Sequence, residues 1–270
     1  KYATAELPRA LSLFIGNVEA ARSGLRRLDG QPDYNRVWPG GEEAHPAEAA
    51  MMQEVVDAMR ARGVFASIDI HNNTGLNPHY ACVNRLEQDF LHLAVLFSRI
   101  VVYFIRPRGV QSAAFAELCP AVTVECGKPG TPGGVEHAAA FMEACLHLSE
   151  FPAHPLPPHD VDLFHTVATV KVPQQLSFGF GAPDADIDFV PELDHYNFRE
   201  LAHGDAWGRV RQGRLLALDE TGTDIGDRLF DYRKNEITLR RPLMPAMLTR
   251  DERVIRQDCL CYLMERIAYP

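Results

Sequence analysis

The sequence predicts an α/β protein: a mostly parallel or mixed, doubly wound sheet with helices on both faces, followed by a smaller, mainly β domain. Two observations predict it. Over roughly the first 150 residues, short continuous apolar runs alternate with longer segments whose apolar residues recur at helical spacing. Beyond a proline-rich stretch at 151–162, the pattern changes to short strand-like segments separated by Gly, Pro, Asp and Asn turns.

In chain order, the strand-like runs of the first part are "ALSLFIG" (10–16), "VFASIDI" (64–70), "VVYFI" (101–105) and "AVTVEC" (121–126). Continuous apolar runs of this length suit strands buried on both faces. Helical spacing marks "PAEAAMMQEVVDAMRARG" (46–63), "RLEQDFLHLAVLFSRI" (85–100) and "GGVEHAAAFMEACLHLSEF" (133–151). The segment "FPAHPLPPHDVD" (151–162) carries four prolines and two histidines. Proline supplies no ladder donor and restricts the residue before it, so this stretch reads as a solvated connector. Strand-like segments then follow: "LFHTVATVKV", "DIDFV", "GRVRQGRLLAL", "NEITLRRPLMPAML" and "CLCYLMERI". The expected organisation is an α/β domain over 1–152, a linker over 153–162 and a mainly β domain over 163–270.

Of the 270 residues, 46% are apolar and 23% charged, and the formal charge is −9. An acidic average field disfavours nucleic acid and anionic membranes as partners. No apolar run reaches the roughly 18 to 20 residues a membrane helix needs. The six cysteines form no C-x-x-C pair and read as reduced thiols of a cytoplasmic protein. Self-association into a homo-oligomer is left open.

In an open α/β sheet, ligands bind at the carboxyl ends of the strands, so residues just past each strand come first. In "FASIDIHNNTG" (65–75) a buried run ends on His71, with Asp69 on the same side of the extended chain. Neutral imidazole is the commonest metal ligand, and a strand end mounts it rigidly beside a group that fixes its tautomer. A histidine here is equally compatible with a structural role. The loop "RRLDGQPDYNRVWPGG" (26–41) gathers Arg26, Arg27, Asp33, Asn35 and Arg36 around turn formers. Arginine offers a planar fork for a carboxylate or a fixed charge for an oxyanion. In "TVECGKPG", Glu125 closes an apolar strand, where a carboxylate is costly unless it pairs, coordinates or exchanges protons. A pair with Lys128 is the plain structural alternative to a general base.

Together and in this order, "DYNRVWPG", "DIHNNTG" and "TVECG" resemble the succinylglutamate desuccinylase and aspartoacylase family of the zinc carboxypeptidase superfamily. The resemblance covers most of 10–150, with "LFIGN" and "VEAARSGLRRLD" in the expected places. It implies zinc as cofactor, with His71 as a ligand. Glu125 would be the general base that takes a proton from metal-activated water and returns it to the leaving amine. Asn35 and Arg36 would grip the substrate carboxylate, and Arg26 would polarise the scissile carbonyl. The implied partner is a small carboxylate substrate, an N-acyl amino acid cleaved at its amide bond.

One departure is large. The family binds zinc with a His-x-x-Glu motif upstream of the "LFIGN" strand, and no such motif precedes residue 10 here. The expectation is therefore a chain lacking an N-terminal segment of about 40 to 50 residues that includes the first strand, as the resemblance to the family implies. The one His-x-x-Glu present, His45 to Glu48, reads as the start of a helix, with Pro46 and Glu48 in its first turn. Two further functions stay open: a carboxypeptidase, which would use the same residues, and a metal-free carboxylate-binding protein, should the missing ligands be truly absent. Arg106 and Arg108 are candidates for a further cationic contact, and His79 and Tyr80 for lining the pocket.

Overall fold

The computed structural model describes residues 2, 4–42 and 45–269. Its strands are β1 (Ser67–His71), β2 (Tyr80–Val83), β3 (Ile100–Tyr103), β4 (Ala121–Glu125), β5 (Asp162–Lys171), β6 (Phe178–Phe180), β7 (Ile187–Phe189), β8 (Ala206–Val210), β9 (Leu216–Leu218), β10 (Phe230–Asp231), β11 (Glu236–Leu239), β12 (Met244–Ala246) and β13 (Cys261–Arg266). Its helices are α1 (Val18–Arg22), α2 (Pro46–Arg62), α3 (Gln88–Val95), α4 (Gln111–Phe115), α5 (Pro132–His147), α6 (Gly226–Leu229) and α7 (Glu252–Gln257).

The larger sheet is mixed, in the order β1-β4-β2-β3-β5-β13-β12, with β9 added beside β5. β1 runs parallel to β4, β2 antiparallel to β4, and β3 parallel to both β2 and β5. Helices cover both faces, as the alternating pattern predicts. The smaller sheet, β10-β11-β8-β7-β6, closes around a second core that includes Trp207, Phe189 and Phe230. Residues 163–270 divide between the two sheets. β5 follows the proline-rich stretch directly and pairs with β3, and β9, β12 and β13 join the same larger sheet.

Each element has a local cause. β4 is β-branched at Val122, Thr123 and Val124, and all five of its residues are buried beneath α3 and α4. α2 starts at Pro46, whose missing N–H costs nothing in a first turn, and stops at Gly63, which has φ of 69°. Its Met52 and Val56 are buried in the larger core.

Two expectations need correction. Residues 10–16 form no strand: Leu13 and Ile15 are 83% and 68% exposed, and only Phe14 finds an aromatic contact, edge-on to Trp38 at 5.7 Å. Apolar β-formers become a strand only where another strand offers its hydrogen-bonding edge. Conversely β2, absent from the strand-like runs of the sequence, is a central strand. "YACV" is short, and its place is set by β4 on one side and β3 on the other.

Candidate active site

β1 and β4 are parallel neighbours, and their register pairs Ile70 with Val124 and His71 with Glu125. The two residues singled out from separate motifs therefore stand side by side at the carboxyl ends of adjoining strands. Backbone hydrogen bonds continue past both: Cys126 N donates to His71 O at 2.8 Å, and Asn73 N donates to Gly127 O at 3.0 Å. The two loops leave the sheet as one unit.

Glu125 is 5% exposed. Its Oε2 accepts from Asn73 Nδ2 at 3.0 Å, and its Oε1 lies 4.0 Å from His71 Nδ1. Burial raises its pKa, while His71 and the Asn73 amide pull the other way. Lys128 forms no ion pair with it among the described residues, so the plain structural alternative is not what the fold builds. His71 Nε2 faces Asp69 Oδ2 at 2.9 Å. Burial works against the imidazolium, but Asp69 and Glu125 outweigh it and raise the His71 pKa.

The Asn35–Arg36 loop reaches this pair from the side. Asn35 Nδ2 donates to Asp69 Oδ2 at 3.2 Å and lies 3.3 Å from His71 Nε2. Its Oδ1 accepts from Gln111 N at 2.8 Å, and Gln111 Nε2 donates to Ser67 Oγ at 2.6 Å. Asn35 thereby ties the loop to both β1 and α4. The loop is held by backbone closeness as well. A Cβ on Gly109 would meet the Arg36 carbonyl oxygen at 2.1 Å, and Gly109 has φ of 72°, so only glycine fits there.

The two arginines differ. Arg26 donates through Nε and one terminal nitrogen to Asp33 Oδ2, at 3.0 and 2.7 Å, and is half exposed. Its charge nonetheless bears on both His71 and Glu125. Arg36 is mostly buried. One terminal nitrogen donates to Asn35 O at 2.7 Å, and the other to Asp258 Oδ1 and Oδ2 at 3.1 and 3.2 Å. Burial disfavours its charge, but Asp258 and the neighbouring Tyr262 and Asp33 more than offset this and raise its pKa. Asp258, Cys259 and Tyr262 carried no local signal in the sequence. Asp258 lies 222 positions from Arg36, and only the antiparallel pairing of β13 on β5 brings it here.

The remaining candidates have other partners. Arg106 pairs with Glu42 at 2.9 Å and donates to Glu220 O, and Arg108 approaches the same Glu42 at 3.4 Å. Tyr80 is buried opposite Glu125 in the β2–β4 register, while His79 stacks among Phe97 and His137. His45 precedes α2 as its cap, and Glu48 sits in the first turn. Among the described residues, no group of three or more His, Cys, Asp or Glu side chains is arranged to hold a metal ion. A catalytic zinc ordinarily takes three protein ligands. The described residues therefore do not fit zinc by themselves: His71 is a single imidazole whose Nε2 already faces Asp69. No described helix is long and apolar enough to cross a membrane.

No family model and no curated protein sequence matches the chain. Solved structures do. Murine aminoacylase 3 superposes with a TM-score of 0.60 at 14% identity, over 94% of this chain and 82% of that one. The succinylglutamate desuccinylase of Chromobacterium violaceum gives 0.56 at 16% identity, over 94% and 72%. The succinylglutamate desuccinylase/aspartoacylase of Rhodobacter sphaeroides gives 0.59 at 16%, over 93% and 72%. The class is thus defined by architecture, a mixed α/β sheet with helices on both faces and a smaller β sheet attached, as in these structures. Within it, the chain has the fold of the succinylglutamate desuccinylases and aspartoacylases.

Proposed function

We propose that the protein is a hydrolase that cleaves the amide bond of a small N-acyl amino acid. One observation carries the reading. Glu125 is a buried carboxylate that forms no ion pair with a lysine or arginine among the described residues, held by Asn73 at one oxygen and facing His71 at the other. A carboxylate kept this way, with a raised pKa, is suited to take a proton from water and hand it to the leaving amine. The fold shared with structures named as desuccinylases and an aminoacylase points to the same class of bond.

The other residues have roles consistent with this chemistry. Arg26, the more exposed guanidinium, would stabilise the oxyanion as it forms. Asn35 and Arg36 would meet the substrate carboxylate. Arg36 already holds Asp258, so a substrate carboxylate has to share or displace that partner. Zinc is the cofactor this fold implies. Because the described residues present one imidazole, no step of this reading runs through a metal.

A second reading, a carboxylate-binding protein without turnover, is favoured by that same lone imidazole. A carboxypeptidase would use the same residues as the first. The experiment measures free amine released from a panel of N-acyl amino acids and C-terminal peptides, with chelator and with added zinc. Amine release that falls by about 10²- to 10⁴-fold in Glu125→Gln, with folding unchanged, supports the hydrolase. Tight binding without release under either condition supports the binding protein. Full activity in Glu125→Gln would overturn the mechanism.

A further inference from the structure

A cavity of about 530 Å³ opens beside this site, within the size range of small-molecule pockets. Thr74, three residues past His71, and Lys128, three past Glu125, form one wall. Thr249, Arg250, Asp251 and Glu252, just beyond β12, supply another part of the lining, and Asp194, also in the lining, lies on a 3-10 turn spanning Leu193–Tyr196. The walls are joined. The Thr74 and Thr249 hydroxyls are 2.7 Å apart, and a Cβ on Gly75 would meet the Leu248 carbonyl oxygen at 2.2 Å.

The charges around this cavity are unspent. Asp194 is 7% exposed, and its Oδ1 is buried with no hydrogen-bond partner. A buried carboxylate oxygen without a donor is costly, and native structures seldom keep one without a use. Lys128 forms no ion pair among the described residues. Arg250 forms none either, and its guanidinium lies over the Phe180 ring at 5.8 Å. The two acids that follow Arg250 also line the cavity: Asp251 caps α7 by accepting from Arg253 N and Val254 N, and Glu252 is exposed, and neither forms an ion pair with Lys128 or Arg250 among the described residues. Two cations, the unpartnered Asp194 and the carboxylates of Asp251 and Glu252 thus line a single cavity, with no ion pair between them among the described residues.

We propose that this cavity is a subsite for an amphoteric head group, an ammonium and a carboxylate on one carbon, as in an α-amino acid. Lys128 and Arg250 meet the carboxylate, and Asp194 meets the ammonium. Two separate cations alone would suit any dianion; the Asp194 carboxylate in the lining is what selects for a donor on the same ligand. That the head group is the end of the substrate remote from the scissile amide rests on the hydrolase reading. The binding itself does not.

Calorimetric titration of the full chain tests this without turnover, using L-glutamine as the zwitterion with an uncharged side chain. Glutaramic acid is the same molecule without the ammonium, and 4-aminobutanamide the same without the carboxylate. L-Glutamine should bind at least about tenfold more tightly than either. Asp194→Asn should erase the preference over glutaramic acid, and the double variant Lys128→Met with Arg250→Met the preference over 4-aminobutanamide. Equal binding of L-glutamine and glutaramic acid by the wild type would mean an anion site only and overturn the proposal, as would no binding at millimolar concentration. Should Asp194→Asn fail to fold, the double variant decides: its two positions are exposed, and a retained preference over 4-aminobutanamide overturns the assignment. Repeating the titrations in Glu125→Gln separates this subsite from the hydrolytic reading, since binding then stands or falls with no chemistry behind it.

Discussion

Residues 10–16 and 121–125 are both short apolar runs, and only the second becomes a strand. In β4, Ala121, Val122 and Val124 are fully buried between β1 and β2, while in the first run Leu13 and Ile15 are 83% and 68% exposed. Both runs are mostly apolar, the first through Leu, Phe and Ile and the second through Val. What differs is the neighbour: β4 exchanges backbone hydrogen bonds on both edges, with helices over its faces. Propensity proposes a strand, and the partner edge makes it one.

The largest expected effect breaks that contrast from the buried side. Val124→Asp would place an unpaired carboxylate in the core one residue from Glu125, at a cost of about 4 kcal/mol or more. Since domains of this kind are stable by about 5–15 kcal/mol, a large share of the stability margin should be lost. Urea unfolding measures it. A variant within 1 kcal/mol of the wild type, on the order of an ordinary surface change, would show that β4 is not the buried strand described.

The same contrast between packed and open positions appears at two glycines with positive φ. Gly109, with φ of 72°, has the Arg36 carbonyl oxygen where a Cβ would go, whereas Gly130, with φ of 78°, has nothing within 4 Å. Gly109→Ala should cost about 2–4 kcal/mol and loosen the Asn35–Arg36 loop, against about 1 kcal/mol for Gly130→Ala. Equal midpoints in chemical unfolding would argue against the close approach at Gly109.

The site arginines extend the comparison to charge. Arg36→Ala strands Asp258 in a largely enclosed place and should cost about 2 kcal/mol, below the range for a fully buried pair. Arg26→Ala breaks a half-exposed pair and should cost under about 1 kcal/mol. The difference reads out in thermal unfolding. An Arg26 variant that proves the less stable of the two would mean that Asp258 is not Arg36's principal partner.

Much of this was legible in the sequence because it is local. The β1 and β4 runs, the Pro46 start of α2 and the strand-end placement of His71 and Glu125 follow from residue type and period. The motifs that carried the family resemblance lie together in the fold, with Asn35 beside Asp69 and His71, though the sequence predicted no such contact. What was not legible depends on contacts across the chain. Asp258 reaches Arg36 only through β13, the cavity forms only where the Thr74 loop docks on Thr249, and β2 is a strand because β3 and β4 flank it. Single-sequence periodicity carries no information on such neighbours. For the same reason it could not tell that 10–16 lacks one.

The smallest effect tests the open side of the contrast directly. If Leu13 and Ile15 face solvent in solution, replacing both with serine removes apolar surface that folding never buried, and stability should change by no more than about 0.5 kcal/mol. Binding of an apolar fluorescent dye should fall at the same time, because adjacent exposed apolar side chains present a patch such dyes adsorb to. The two readouts separate the alternatives. A buried Leu/Ile pair would lose several kcal/mol on such truncation, since each fully buried aliphatic side chain contributes about 1.5–3 kcal/mol. A clear drop in the unfolding midpoint, with dye binding unchanged, would therefore show that residues 10–16 are covered in solution and that the run does find the neighbour it lacks here.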